Sequence, residues 1–273
     1  MALEYLLVTS ALDPVARAVS ECWGTLPATG WACEGAPLRA LSDRAWVLKR
    51  PGHHVLDANL ELALPPGIGD IELPLVFPSV HRSESERPCL TVHPLGNPGP
   101  SAEVGGAPSQ LGGTAPRLMA DALRRIAELG KREGLGASFE ATHHGPLLRR
   151  PAFFVEIGFG AAAAPPPSAV RGLAALLGEL TRDDRDRVAV GLGGGHYAPH
   201  FTELALERHW AFGHILSKHA LSTASPQVIR QALERTPGAE GFLYQRAQDE
   251  VQYDLGQIAK RLRDGEAPAL GGP

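Results

Sequence analysis

The chain has 273 residues, a length that fits one large domain or two small ones. It is 44% hydrophobic and 21% charged, a composition typical of a soluble globular protein with a substantial core. The net charge of −4 excludes a global basic field, so any contact with nucleic acid requires a local basic patch.

Cysteine usage indicates a reducing compartment, and we expect a cytoplasmic protein. Cys22, Cys33 and Cys89 include no CxxC pair, so they predict neither a disulfide framework nor a cysteine zinc site. The first residues, MALEYLL, lack the basic region of a signal peptide. The longest uncharged stretch, residues 157–170, contains three prolines and is too short to span a bilayer, so no membrane contact is expected.

Short β-type runs alternate with helical patterns along the chain. The predicted strands are Tyr5–Thr9, Ala45–Leu48, Ile71–Phe77, Cys89–Val92, Phe153–Ile157 and Val188–Leu192. The predicted helices are Pro14–Trp23, Pro116–Arg132, Ala169–Arg182, Pro226–Arg235 and Ala247–Arg263. This alternation predicts an α/β fold with a largely parallel or mixed central sheet. The predicted helix Pro226–Arg235 has the clearest start, with Ser225 as its N-cap and Pro226 at its first position.

We expect a single domain over residues 1–264 and a flexible C-terminal tail over residues 265–273. Two Gly/Pro-rich stretches, residues 94–116 and 158–168, interrupt the regular pattern. A structureless loop of about 20 residues inside a compact domain is usually functional or mobile.

Histidines follow two consecutive predicted strands. His81 comes after the run that ends at Phe77, and His93 comes after the run that ends at Val92. Histidines at such ends can meet at one sheet edge, where His81, Arg82 and Ser83 can grip a carboxylate or a phosphate. A solvated charged turn is the alternative interpretation.

The segment FEATHHGPLL, residues 139–148, contains adjacent histidines. In an extended strand His143 and His144 point to opposite faces, so we do not expect them to grip one metal as a pair. One would face a site while the other makes a structural hydrogen bond, and Glu140 can join as a base, an acid or a ligand. A hydrogen-bonded turn before Gly145-Pro146 is equally compatible with this pattern.

Glu156 lies within the otherwise apolar run FFVEIG. A buried carboxylate has to be paired or metal-bound, which makes this residue a better candidate than a surface glutamate. An exposed strand end is the alternative.

The stretch VAVGLGGGHYAPHF, residues 188–201, fits no standard motif. It lacks the lysine of a phosphate loop, His196 stands where a dinucleotide fingerprint ends in glycine, and Tyr197 replaces the glutamate of HExxH. The loop still joins an apolar strand to a predicted helix, the position where open α/β sheets bind ligands. A tight turn with surface histidines is the alternative for both His196 and His200.

Nucleophile motifs are absent, since the chain has no GxSxG and no cysteine beside a base in sequence. For a hydrolase, an activated water is therefore the expected nucleophile, and a histidine–carboxylate metal centre would supply it. A zinc-dependent peptidase or amidohydrolase fits this pattern. A nucleoside phosphorylase or a nucleotide-binding module that uses the glycine loop is a further alternative.

Six segments together resemble the archaeal-type D-aminoacyl-tRNA deacylases, a family also found in plants. They are HRSES at 81–85, LTVHPLGN at 90–97, GGTAPRLM at 112–119, EATHHGP at 140–146, FVEIG at 154–158 and GGGHYAP at 193–199. The resemblance implies a three-layer α/β/α sandwich with a mixed central sheet, of the phosphorylase/peptidyl-tRNA hydrolase-like type. It also implies hydrolysis of the ester that joins a D-amino acid to tRNA, with zinc as cofactor, up to two ions per subunit. We expect the acceptor end of D-aminoacyl-tRNA as substrate, no obligatory protein partner and a monomer.

The resemblance also suggests roles for individual residues. Catalytic roles fall to His196, Glu140 and His144, with the backbone amides of Gly194 and Gly195 as an oxyanion stabiliser. The expected metal ligands are His93, His143 and Glu156. The expected substrate contacts are His81, Arg82, Ser83, Tyr197 and His200. The chain departs from the family at His200, where arginine is common, and at Phe159, where serine is usual; a cluster of Arg82, Arg149 and Arg150 is a candidate for the tRNA end.

Overall fold

The structure, a computed structural model, describes residues 3–69, 72–82, 88–160 and 163–245. Within these ranges the strands are β1 Tyr5–Ser10, β2 Ala28–Cys33, β3 Ala36–Ala40, β4 Ala45–Arg50, β5 Leu75–His81, β6 Cys89–Pro94, β7 Gly96–Asn97, β8 Gln110–Leu111, β9 Gly136–Phe139, β10 Ala152–Gly158, β11 Arg187–Leu192, β12 Trp210–Leu216 and β13 Ala239–Tyr244. The helices are α1 Pro14–Cys22, α2 Leu60–Ala63, α3 Pro116–Glu133, α4 Pro167–Leu177, α5 Pro199–Glu207, α6 Lys218–Thr223 and α7 Pro226–Glu234, with a 3-10 turn at His54–Leu56.

Eight strands form a mixed central sheet in the order β2-β3-β4-β1-β5-β10-β6-β9. Its centre is parallel, because β1 pairs with β4 and β5, and β5 pairs with β10, all in one direction. β6 runs antiparallel to β10 and parallel to β9. This reversal sets His93 of β6 opposite Phe154 of β10, two residues from Glu156.

The alternation of side chains in the central strands explains the layers. Tyr5 and Leu7 of β1 join the apolar core beneath α1, α3 and α4, whereas Leu6 and Val8 join a second core on the opposite face. The second face is covered more thinly, by the 3-10 turn, α2 and loops. Segments on both faces of a mixed sheet confirm the predicted α/β fold.

Helix boundaries follow the chemistry of their ends. Ser225 accepts a hydrogen bond from the backbone N–H of Val228 and Pro226 opens α7, so this predicted cap is confirmed. Asp13 caps α1 in the same way, with Oδ1 2.7 Å from the N of Ala16. No helix among the described residues is both long and apolar enough to cross a membrane.

Some predicted elements differ in extent or in place. The strand predicted from Ile71 begins only at Leu75 and continues to His81, and the helix predicted over 169–182 covers Pro167–Leu177. β11 does not join the central sheet: it pairs with β12 and β13, two strands that the sequence did not predict, in a separate three-stranded parallel sheet. The helix predicted over 247–263, the domain end at 264 and the tail at 265–273 lie outside the described residues.

Candidate active site

Five histidines and two glutamates converge at one edge of the central sheet. His81 ends β5, while His93 and Glu156 come from β6 and β10, the next strands across the sheet. The others come from the turn after β9 and from the loop between β11 and α5: Glu140, His143, His144 and His196. The two loops are joined, since the N–H of Ala141 donates to the carbonyl oxygen of His196 at 2.8 Å. The sequence had selected all seven side chains as candidates, and the fold brings them together.

Glu156 is buried between two histidines. Its Oε2 lies 3.3 Å from Nδ1 of His81 and 3.6 Å from Nε2 of His93. Burial alone would raise the pKa of Glu156, but the neighbouring histidines, His81 first and then His93, outweigh it and hold the pKa well below its ordinary value. Glu156 is therefore a paired, buried carboxylate, and the exposed strand end considered from the sequence does not apply.

Glu140 is fully buried and lies among three histidines. Its Oε1 is 3.2 Å from Nδ1 of His81 and 3.6 Å from Nε2 of His196, and its Oε2 is 3.9 Å from Nε2 of His143. Burial raises the pKa of Glu140 well above its ordinary value, and the nearby Glu156 raises it further. The pKa values of the two glutamates are therefore pushed apart: Glu156 is ionised, while the neighbouring Glu140 favours the protonated state.

The adjacent histidines His143 and His144 share one cluster with His93. The ring centroids of His143 and His144 lie 4.0 Å and 4.9 Å from that of His93. The expectation that the pair would point to opposite faces was wrong, because the backbone is not extended there: His144 has φ of 43°, in the left-handed region.

Hydrogen bonds to the backbone orient these three rings alike. The Nδ1 atoms of His93, His143 and His144 lie 3.1, 2.8 and 2.7 Å from the carbonyl oxygens of Pro94, Ala141 and Gly145. A ring that donates its Nδ1–H keeps the lone pair on Nε2, the form that binds metal ions. Burial lowers the pKa of His143 well below its ordinary value and that of His144 to about 4, so both are neutral near pH 7.

The imidazole nitrogens and carboxylate oxygens of this cluster are arranged so that they could bind a cation. Potential ligand atoms lie within 4.8 Å of one another in three overlapping groups: His93, His143 and His144; His81, Glu140 and His196; and His93, Glu140 and Glu156. Nε2 of His93 and both carboxylate oxygens of Glu140 are buried without a hydrogen-bond partner among the described residues. Buried polar atoms of this kind call for an ion or a water, and imidazole with carboxylate is a donor set that suits zinc.

Two other features of the surface lack this chemistry. The donors Asp183, Asp186 and His209 also cluster, but Arg185 and Arg124 already bind the two aspartates. A groove of about 800 Å³ between α3 and α4 is lined by charges that pair with each other, as Arg125 does with Asp121. The histidine–glutamate cluster is therefore the stronger candidate.

A cavity of about 520 Å³ opens over the cluster. His81, His143, His144, Glu156 and His196 form part of its wall. Arg82, a predicted substrate contact, is exposed and lines the same cavity, whereas Ser83 lies outside the described residues. Tyr197, another predicted contact, places its Oη 2.9 Å from Nε2 of His81.

Among the polar residues of the cavity wall that the sequence analysis missed, Asp13, His54 and Ser79 form a connected network. Ser79 Oγ donates to Asp13 Oδ2 at 2.9 Å and lies 3.1 Å from Nε2 of His54. Their distance in sequence hid this network. The segment VTSALDP at residues 8–14, which contains Asp13, and the adjacent histidines at 53–54 were the available signals.

Several predicted contacts do not reach the cavity. Among the described residues, Gly194, Gly195 and His200 are not part of its wall. A Cβ on Gly194 would overlap the side-chain oxygen of Gln245, so this glycine allows close packing against the end of β13. Arg150 is buried, with its guanidinium on the carbonyl oxygens of Ile68 and Gly69, so its prediction as a tRNA contact was wrong.

Fold and site together define an α/β protein with a cluster of histidines and carboxylates at one edge of its central sheet. The chain belongs to the D-aminoacyl-tRNA deacylase family, whose family model matches residues 71–262. The resemblance seen in the six sequence segments is thereby confirmed.

Curated relatives agree with this assignment, and a solved structure shares the fold. A D-aminoacyl-tRNA deacylase of Thermoplasma acidophilum is 41% identical over 173 residues, which cover 63% of this chain and 67% of the relative. One of Methanococcoides burtonii is 30% identical over 248 residues, 86% of this chain and 50% of the relative. The matches thus span about half to two thirds of these relatives' length. The crystal structure of a conserved protein of unknown function has the same fold, with a TM-score of 0.82 and 24% identity over 96% of this chain and 93% of that one.

Proposed function

We propose that this chain hydrolyses the ester bond of D-aminoacyl-tRNA and releases the free D-amino acid and tRNA. The observation that carries the proposal is the cluster of five histidines and two glutamates, five of which line a cavity of about 520 Å³. The family and the names of its relatives supply the substrate. The peptidase, amidohydrolase and phosphorylase alternatives are not favoured by these comparisons.

A covalent nucleophile is not required for this reaction, because an aminoacyl ester is already activated. The nearest thiol is a poor candidate, since burial raises the pKa of Cys89, whose Sγ lies 3.8 Å from Oη of Tyr197. A positioned water is therefore the proposed nucleophile.

We further propose zinc as the cofactor. Nε2 of His93, His143 and His144 would hold one ion, while Glu140 and His196 remain available for proton transfer. Bound zinc would lower the pKa of a water molecule and polarise the ester carbonyl. The unpartnered, buried Nε2 of His93 supports this assignment.

Proton transfer is assigned to His196 and Glu140. His196 is half exposed and lines the cavity, and burial together with His93 and His81 lowers its pKa to about 4, so it is neutral near pH 7. A neutral imidazole at the cavity can take a proton from the attacking water. Glu140, whose Oε1 lies 3.6 Å from Nε2 of His196, favours the protonated state. We assign it to supply a proton, through the His196 imidazole, to the leaving ribose oxygen, and to regain the proton that the imidazole takes from the water.

The remaining expectations are part of the same proposal. Selection of the D configuration would arise from the shape of the cavity around the α-carbon, a task for a rigid wall. Exposed Arg82 is the proposed phosphate contact. A cytoplasmic monomer that needs no protein partner stays a prediction.

Deacylation of D-Tyr-tRNA and L-Tyr-tRNA, with and without a chelator, tests the proposal. We expect hydrolysis of the D substrate alone, loss after chelation and recovery with zinc. Substitution His196→Ala should reduce the rate by a factor of roughly 10²–10⁴, the usual range for a general base, with the fold intact. The exposed His219→Ala is the matched control. Equal rates on both substrates would contradict chiral selection, and full activity after exhaustive metal removal would contradict the zinc assignment.

A further inference from the structure

Exposed apolar side chains gather at the mouth of the cavity. In the described part of the chain six large apolar side chains are exposed, and three of them are Leu12 at 54%, Leu56 at 62% and Val104 at 52%. Leu12 and Val104 line the cavity, and Val55, the neighbour of Leu56, lines it as well. Scattered exposed apolar residues need no explanation, but their concentration at one opening does.

The Gly/Pro-rich stretch at 94–116 supplies one side of this apolar wall. Its ends are closed by the pairing of β7 with β8, so residues 98–109 form a loop over the cavity mouth. The carbonyl oxygen of Val104 accepts the N–H of Gly145 at 3.0 Å, directly after His144. Asn97 Nδ2 donates to the carbonyl oxygen of Gly105 at 2.9 Å.

The loop also rests on the segment that carries Val55. Gly105 has φ of +73°, and a Cβ there would overlap the carbonyl oxygen of Val55. Only glycine allows this approach. Val104 is thus fixed from two sides, to the His143–His144 turn and to Val55, and the apolar wall is rigid where it faces the centre.

We propose that Leu12, Val55 and Val104 form the subsite for the side chain of the D-amino acid. The inference rests on the proposed function. The reacting carbonyl has to lie at the histidine–glutamate cluster, and the amino acid side chain branches from the next carbon. The terminal adenine is separated from that carbonyl by the whole ribose. Val104 is hydrogen-bonded through its carbonyl oxygen to the residue after His144 and lines the same cavity as the cluster, so the apolar wall adjoins the place of the reacting ester.

The subsite predicts a preference among substrates. Apolar and aromatic D side chains gain contact with the wall, whereas D-alanine is too short to use it. We expect a higher kcat/KM for D-Tyr-tRNA than for D-Ala-tRNA, compared on zinc-loaded full-length protein.

Truncation of the wall tests the inference. The double variant Leu12→Ala/Val104→Ala should lose about tenfold in kcat/KM on D-Tyr-tRNA and little on D-Ala-tRNA; we expect the low end of the range for a lost apolar contact because both side chains are half exposed. Leu62→Ala, at an exposed residue outside the cavity wall, is the matched control. Equal losses on both substrates would overturn the side-chain subsite and assign the wall to the adenosine, and no loss would overturn it outright.

A binding measurement separates this inference from the reaction itself. The probe is the non-hydrolysable 3′-deoxy-3′-(D-tyrosylamino)adenosine, measured by calorimetry against its D-alanyl counterpart. We expect the double variant to weaken the D-tyrosyl probe about tenfold and to leave the D-alanyl probe unchanged. An unchanged Kd for both would overturn the subsite even in an active enzyme. A wild-type protein that hydrolyses no D-aminoacyl-tRNA would overturn the proposed function, and the subsite with it.

Discussion

Acid should destabilise this protein through His214, a fully buried histidine in β12. Nδ1 of its ring lies 3.1 Å from the hydroxyl of Thr142, and Nε2 lies 3.0 Å from the carbonyl oxygen of Gly112. The same hydroxyl accepts the N–H of Ile215, while the N–H of Thr142 donates to the carbonyl of Ile215. The His214 ring thus connects the three-stranded sheet of β11, β12 and β13 to the loop that carries His143 and His144.

The magnitude follows from the shift in pKa. Burial, the largest cause, lowers the pKa of His214 from 6.5 to about 4, and Arg235 adds to it, while the hydrogen bond to Gly112 opposes it. The unfolded chain therefore takes up the proton first as pH falls. The stabilisation from the neutral ring is complete above pH 6.5, declines between pH 6.5 and 4, and is lost below that. A shift from 6.5 to about 4 corresponds to roughly 3 kcal/mol in the free energy of unfolding.

Urea unfolding between pH 8 and 4, on chelator-treated protein, measures this contribution. Other buried histidines also titrate, so the informative quantity is the difference between wild type and His214→Gln, which keeps a polar side chain but has no titrating ring. We expect the variant to be less stable at pH 8 and to lose roughly 3 kcal/mol less than wild type on acidification. Exposed His219→Gln is the control and should follow the wild-type curve. Parallel curves for His214→Gln and wild type would refute the reasoning.

Further predictions concern the centre and the loop above it. Glu156→Gln should weaken zinc binding by at least roughly tenfold in calorimetry, because Oε2 loses its charge beside His93; unchanged affinity would remove Glu156 from the metal centre. Glu140→Gln should lower kcat by about 10² or more without a loss of stability, and a stopped-assay rate near wild type would exclude it from proton transfer. Gly105→Ala should lower the free energy of unfolding by more than the ~1–2 kcal/mol expected for Gly134→Ala, since both have positive φ but only Gly105 abuts Val55. Equal losses of unfolding free energy for Gly105→Ala and Gly134→Ala, measured by urea unfolding, would show that the loop can move away from Val55 without cost.

The residues of the site were largely visible in the sequence, but their arrangement was not. Glu156 stood out because a carboxylate in an apolar strand requires a partner, and the partner histidines had been noted separately. The geometry of His143 and His144 was predicted wrongly, because the left-handed φ of His144 cannot be inferred from a His-His dipeptide. The glycines after β11 were expected to face a ligand, whereas Gly194 packs against Gln245, a contact between distant segments.

The features that could be predicted from the sequence are those that depend on residues close together in the chain. The alternation of apolar residues, the caps at Ser225 and Pro226, and the run around Glu156 depend on neighbours within a few positions, so they predicted the α/β class and most central elements. The tertiary structure alone decided that β6 runs antiparallel beside β10, which brings His93 to Glu156. It also decided that Asp13 and Ser79, 66 positions apart, share a hydrogen bond and that the loop at Val104 closes over the cavity. Such contacts join segments that are far apart in the chain, and their energies exist only once the sheet has formed.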